Sequence, residues 1–226
     1  MFTLADVVPW GRSYDEYRRM FALGDVDLRR RVLGCADGPA SFNAEATGRG
    51  MRVTSVDPLY VCDAAQIRER IDATFGDMLA QTARNRHEFV WGAISSVEEL
   101  ASVRRVAMET FLADYDAGPR GGRYVGGALP ALPFADGTFD LALCSHFLFL
   151  YSTQLSAEFH LASVRELARV AHEVRIFPLL ALGAQPSAHV PVVMAAMRRA
   201  GHDATIETVP YEFQRGGNQM LRIVAR

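Results

Sequence analysis

RVLGCADGPASFNAEATGRGMRVTSVDPLY, residues Arg31–Tyr60, decides the fold. Arg31–Leu33 is a short apolar run that stops at Gly34. Gly34-Cys35-Ala36-Asp37-Gly38 is a turn of small residues, and Pro39 fits the first turn of a helix, where its missing N–H costs nothing. Ala40–Thr47 reads as that helix, ended by Gly48 and Gly50. Arg52–Val56 is a second strand with Asp57 at its carboxyl end. The sum is a βαβ unit built for a nucleotide. Gly34 and Gly38 let backbone approach a ligand, and the acid 19 residues past Gly38 can accept both ribose hydroxyls.

The loop discriminates among nucleotides. A dinucleotide fingerprint needs G-x-G-x-x-G with a pyrophosphate on the helix N-terminus, and the third glycine has no match here. Asp37 would place negative charge where that pyrophosphate sits. S-adenosylmethionine carries a sulfonium and an ammonium and no phosphate, so an acid near the loop suits it better.

Leu33-Gly34-Cys35-Ala36-Asp37-Gly38 resembles the first motif of the class I S-adenosylmethionine-dependent methyltransferases, and Val56-Asp57 resembles their second. LPFADGTFDLAL, Leu132–Leu143, is similar to the stretch leading into their fourth strand. Two departures stand out. The acid that the family carries two residues before the first glycine is Val32 here, and the middle glycine is Ala36. The longer pattern from GRSYDEYRRMF (Gly11–Phe21) to PYEFQRGGNQMLRI (Pro210–Ile223) is also similar to a bacterial group of methyltransferases. The resemblance implies an α/β fold: a Rossmann-like, seven-stranded, mostly parallel sheet with an antiparallel last strand and helices on both faces. It implies a helical N-terminal lid over residues 1–30 and an S-adenosylmethionine-binding α/β domain over 31–226. Its expected cofactor contacts are Gly34, Cys35, Ala36, Asp37, Gly38, Asp57, Pro58, Ala128, Leu129, Ser145 and Phe147.

The remaining chain fits around that unit. A length of 226 residues suits one α/β domain with room for a lid, and 50% apolar residues suffice for a sizeable core. The formal net charge of -2 and the lack of a basic block give no sign of a nucleic-acid partner. All 24 basic residues are arginine, which excludes a Schiff-base lysine. Cys35, Cys62 and Cys144 lack metal-ligand spacing, as do the histidines, so no metal is expected and the thiols read as free in a cytoplasmic protein. No apolar signal core and no membrane-length run is expected.

Ser13 and Glu16 form a capping-box pattern ahead of a helix whose face carries Tyr14, Tyr17, Arg18 and Phe21. Those rings read either as a lid suited to a sulfonium or as ordinary packing. Asp63–Arg84 reads as one long helix with a core-facing stripe of Ile67, Ile71, Phe75 and Leu79. Residues 85–120 read as a helical insertion, with the aromatic patch Phe89-Val90-Trp91, a helix over Ser96–Tyr115 and a turn-rich exit over Asp116–Gly122. Strands follow at Tyr124–Gly126, Phe139–Cys144, Val174–Leu182 (interrupted by Pro178), Ala204–Tyr211 and Gln219–Ala225. Helices are expected at Glu158–Ala171 and Pro191–Gly201.

In an open parallel sheet, ligands bind outside the carboxyl ends of the strands. That places Ser145, His146 and Tyr151 for chemistry, and His146, Tyr151 and Tyr14 are the candidate catalytic groups. Tyr17, Arg215 and Asn218 are candidate substrate contacts, the last two from the final turn. Methyl transfer to a small molecule is the first functional expectation. The alternatives are an azetidine-2-carboxylate synthase, which closes S-adenosylmethionine on itself and releases methylthioadenosine, and a non-catalytic nucleotide-binding module. The oligomeric state is not encoded in any pattern found.

Overall fold

Period-two alternation along the first strand sets the layers. In the computed structural model, which describes residues 2, 4, 7–117 and 122–224, β1 spans Arg31–Cys35. Val32 joins one apolar cluster, whereas Leu33 and Cys35 join another on the opposite face of the sheet. β1 runs two residues beyond the expected end at Leu33. Gly34 lies opposite Ser55 and Leu143, and Cys35 lies opposite Val56 and Cys144, so the ladders on both sides hold the strand extended.

The chain continues through α1 (Tyr14–Met20, before β1), α2 (Phe42–Gly48), β2 (Arg52–Asp57), α3 (Ala64–Arg84), α4 (Val97–Ala117), β3 (Tyr124–Gly126) and β4 (Leu141–Ser145). It ends with α5 (Ala157–Val170), β5 (Glu173–Phe177), β6 (Leu180–Ala181), β7 (Gln185–Pro186), α6 (His189–Arg199), β8 (Asp203–Thr208) and β9 (Gln219–Val224). The main sheet has the order β3-β2-β1-β4-β5-β9-β8. β1 to β5 pair in parallel, and β9 is antiparallel to both β5 and β8. This is the expected seven-stranded sheet with an antiparallel last strand. The expected fifth strand is shorter than read, because the chain leaves the sheet at Pro178, which has no N–H to donate. Leu180–Ala181 instead pairs with Gln185–Pro186. Residues 118–121 of the expected turn-rich exit, and Ala225 at the expected end of the last strand, lie outside the described residues.

Both capping boxes form. Ser13 Oγ accepts from Glu16 N while Glu16 accepts from Ser13 N, and Asp63 and Gln66 do the same at α3. Along α3 the buried stripe is Ile67, Ile71, Met78 and Thr82; Phe75 and Leu79 are only partly covered. The stripe shifts because the second half of α3 leaves the core and faces a cavity.

The aromatic face of α1 packs rather than hovers. Tyr17 stacks on Phe42 at 4.3 Å between ring centroids, and Phe21 meets Phe177 edge-on. Tyr14 contacts the Phe42 ring and the Arg49 guanidinium of the α2 segment. α4 packs on α3 and α2, and the segment after α3 docks on the β8–β9 connection, where Val90 N donates to Phe213 O at 2.8 Å. The segment after α3 thus sits at the carboxyl edge of the parallel strands. No helix among the described residues is long and apolar enough to cross a membrane.

Candidate functional site

The carboxyl ends of β1, β2 and β4 open into a cavity of about 540 Å³, a size ordinary for small-molecule sites. One wall is the β1–α2 loop. Ala36 and Gly38 both lie in the left-handed backbone region, at φ 56° and 53°. Glycine adopts this readily and alanine does not, so Ala36 holds that conformation at some cost. Asp57 fixes this loop to β2: its Oδ2 accepts from Gly38 N at 2.9 Å and its Oδ1 from Leu59 N at 2.8 Å. Burial raises the Asp57 pKa, and these two amides oppose the rise. Each carboxylate oxygen keeps a lone pair for a further donor.

Asp37 is the second acid of the loop and it is buried. Tyr17 Oη donates to Oδ1 and Ser55 Oγ to Oδ2, both at 2.7 Å. Burial outweighs those two donors and raises its pKa to about 6. Its carboxylate folds back over Gly34, where any Cβ would overlap Oδ2. Gly34 therefore makes room for Asp37, rather than for a ligand, and does not line the cavity.

β4 delivers the opposite wall. Ser145 Oγ and His146 Nδ1 are 2.9 Å apart, and His146 N donates to Phe177 O at 2.6 Å. His146 has φ 50°, a strained backbone that turns its side chain out of the strand line. Burial, reinforced by the Arg12 and Arg104 cations, holds the imidazole pKa well below its ordinary value, so the ring is neutral at pH 7. The Tyr151 hydroxyl accepts from Val8 N at 3.4 Å, and burial raises its pKa.

Of the residues singled out in the sequence, Tyr17, Cys35, Ala36, Asp37, Gly38, Asp57 and Pro58 line this cavity. So do Ala128, Leu129, Ser145, His146, Phe147 and Tyr151. Gly34, Tyr14, Arg215 and Asn218 do not. Tyr14 packs on α2, its ring stacked on Phe42 and its N donating to Glu45 Oε1. Arg215 is spent on the insertion, donating to His87 O and Phe89 O at 3.1 Å each. Asn218 closes the β8–β9 pair by accepting from Val209 N.

The sequence reading missed several lining groups. Described residues ahead of α1, namely Phe2, Leu4, Val7, Val8, Pro9, Trp10 and Arg12, cover the cavity. Phe2 N donates to the buried Glu88, and Gln154 donates to Leu4 O, which seats this strap. Nothing in its composition distinguishes it from a loop. Met78 and Thr82 of α3 also line the cavity, and their spacing from Ile67 and Ile71 did carry a signal. Beneath α1, Glu16 binds Arg104 in a bidentate pair at 2.6 and 2.7 Å, and Tyr211 Oη donates to the same carboxylate at 2.8 Å. Burial alone would raise the Glu16 pKa, yet Arg104 outweighs it and sets the value at about 2. The three cysteines are free and buried, and no three potential metal ligands cluster among the described residues.

No family model matches the chain. Solved structures with a similar arrangement include magnesium protoporphyrin IX methyltransferase from Synechocystis PCC 6803. It is 13% identical over 94% of this chain and 91% of that one, at a TM-score of 0.47. A SAM-dependent methyltransferase from Aquifex aeolicus is 14% identical over 93% and 92%, at 0.44. In sequence, the chain is 33% identical to the uncharacterized protein MJ0045 of Methanocaldococcus jannaschii, over 97% of both. The chain belongs to the family of that archaeal protein.

Proposed function

We propose that the protein transfers a methyl group from S-adenosylmethionine to a small molecule. The observation that carries this reading is the pair of acids at the carboxyl edge of the sheet, buried Asp37 on the glycine loop and half-buried Asp57 at the end of β2. Two carboxylates there repel a pyrophosphate and suit a nucleoside that carries positive charge. The start of α2 is also engaged within the protein, since Ser41 N donates to Arg12 O and Glu45 accepts from Ser41 Oγ. That leaves little of the helix end for a phosphate.

When bound, the cofactor supplies an electrophilic methyl group on its sulfonium. The chain's own residues do the rest. Asp57 accepts from the ribose hydroxyls, and Pro58, Ala128 and Leu129 offer apolar contact to the base. Ser145 and His146 face the cavity from the end of β4, where the acceptor would stand. His146, neutral at pH 7, can take a proton from the acceptor, although its low basicity limits it to acidic donors. Tyr17, Phe147 and Tyr151 keep the space apolar and exclude water. Most of the rate would come from positioning.

The test is incubation of the protein with S-adenosylmethionine and pooled small metabolites, read by mass spectrometry. S-adenosylhomocysteine forming together with a product 14 mass units (about one methylene) heavier than its acceptor supports the reading. Enzyme-dependent methylthioadenosine with azetidine-2-carboxylate, in the absence of any acceptor, would contradict it in favour of cyclisation.

A further inference from the structure

Resting on that reading, we infer that Asp37, Tyr17 and Ser145 form a hydrogen-bonded relay that decides which nitrogen of His146 carries the proton. The three are positioning residues, acting on the reaction through His146. Tyr17 Oη donates to Asp37 Oδ1 at 2.7 Å. A phenol has one hydrogen, so towards any other partner this oxygen only accepts. Burial and the Asp37 charge hold the Tyr17 pKa well above its ordinary value, and a hydrogen bond with Ser145 opposes them. Only a donor favours the phenolate, so Ser145 stands as donor to the phenol oxygen. Met20 Sδ, 4.0 Å from Ser145 Oγ, is a weaker acceptor for the same hydrogen. With its hydrogen given to Tyr17, Ser145 Oγ meets His146 Nδ1, 2.9 Å away, as an acceptor. The hydrogen of that contact then belongs to Nδ1, and the lone pair of the ring sits on Nε2. In this form His146 is a base at Nε2.

Protonation of Asp37 reverses the chain. Its carboxyl titrates at about 6. Ser55 Oγ, on Oδ2, already accepts from Asn43 Nδ2 at 3.1 Å, so the added proton belongs on Oδ1. There it donates to Tyr17 Oη, the phenol hydrogen turns to Ser145 Oγ, and the Ser145 hydrogen turns to His146 Nδ1. The ring gives up its Nδ1 proton and takes one on Nε2, so its charge is unchanged and the one proton gained rests on Asp37. His146 then presents a donor where it presented a base. Its own pKa is far enough below the ordinary value to keep it neutral in both states. Cys35, Asp57, Tyr60 and Tyr124 also face Asp37, and Arg12 and Arg104 face His146. The thiol and both of those phenols are held above their ordinary pKa values and keep their protons, and the Asp57 charge adds to the rise at Asp37.

Nitrogen NMR of histidine-labelled protein reads the tautomer with no ligand present, and His146→Gln assigns the signal. In the wild type the ring is expected as Nδ1–H in weak base and Nε2–H in weak acid, with a midpoint of about 6. Asp37→Asn loses the crossover. Tyr17→Phe frees the Ser145 hydrogen for Nδ1 and holds the ring as Nε2–H throughout. One tautomer across the range in the wild type, or a crossover that survives either variant, would overturn the relay. Turnover of an acceptor falls about tenfold for each pH unit below the midpoint in the wild type, and Asp37→Asn loses that slope. If no acceptor is methylated, the functional reading fails, and the ring nitrogens still decide the relay.

Discussion

Tyr17 Oη donates to Asp37 Oδ1 at 2.7 Å and so joins the N-terminal helix to the loop that follows β1. The carboxylate it meets is buried and lies over Gly34. The chain has Val32 two residues before Gly34 and brings an acid in from the loop that follows the strand.

The titration of Asp37 follows from that placement. Its folded-state pKa of about 6 lies above the ordinary 3.8. Between those values the unfolded chain has released the proton and the folded one has kept it. This group's contribution to stability therefore falls as pH rises from about 4 to about 6, and is then level, a cost of about 3 kcal/mol at neutral pH. Asp37→Asn is expected to be more stable than wild type at pH 7 and nearly equal to it at pH 4. Urea unfolding at both pH values checks this, and a difference independent of pH would contradict it.

The Glu16–Arg104 pair titrates in the opposite sense. Its folded-state pKa of about 2 lies below the ordinary 4.5, so its stabilisation is present above pH 4.5 and is lost as pH falls towards 2. Removing one partner leaves a buried unpaired charge. Glu16→Gln should cost about 3–5 kcal/mol at pH 7, measured by denaturant unfolding. A cost below about 1 kcal/mol would mean that the pair is solvated and does not anchor α1 to α4.

Gly34→Ala should destabilise the fold by about 1–3 kcal/mol, the scale of overpacking. The new Cβ meets the Asp37 carboxylate, so Asp37→Ala in the same chain should restore part of the loss. A double-mutant cycle reads this directly. Strict additivity of the two changes would show that Gly34 is needed for another reason.

Asp57→Ala should weaken binding of S-adenosylhomocysteine by about 1–3 kcal/mol, the scale of hydrogen bonds to a charged group. Arg215→Ala should leave it unchanged, since Arg215 holds the insertion at His87 and Phe89. Equal affinity for wild type and Asp57→Ala would remove Asp57 from the site.

Much of this was legible in the sequence because the relevant signals are local. Ser13 and Glu16 announce a helix start, Gly48 and Gly50 a helix end, and Asp57 a strand end facing a ligand edge. The β8–β9 pair follows from its position after the last helix. What escaped depends on groups distant in the chain. Glu16 of α1 finds its partner in Arg104, 88 residues on in the insertion. Tyr14 and Tyr17 are neighbours on one short helix and both stack on Phe42, yet only Tyr17 lines the cavity, while Tyr14 meets the Arg49 guanidinium. Arg215 looked like a ligand contact until the insertion supplied carbonyls for it. The strap of Phe2 to Trp10 carries no periodicity, and hydrogen bonds to Glu88 and from Gln154 place it.

The central claim is that the cavity edged by Gly38, Asp57 and Leu129 receives the nucleoside of S-adenosylmethionine. A crystal structure of the protein with S-adenosylhomocysteine tests it most directly. The account predicts the ribose hydroxyls on the Asp57 carboxylate, the base beside Leu129, and the sulfur end turned towards Ser145 and His146. A nucleoside bound elsewhere, or one that leaves Asp57 without a ligand contact, would contradict it.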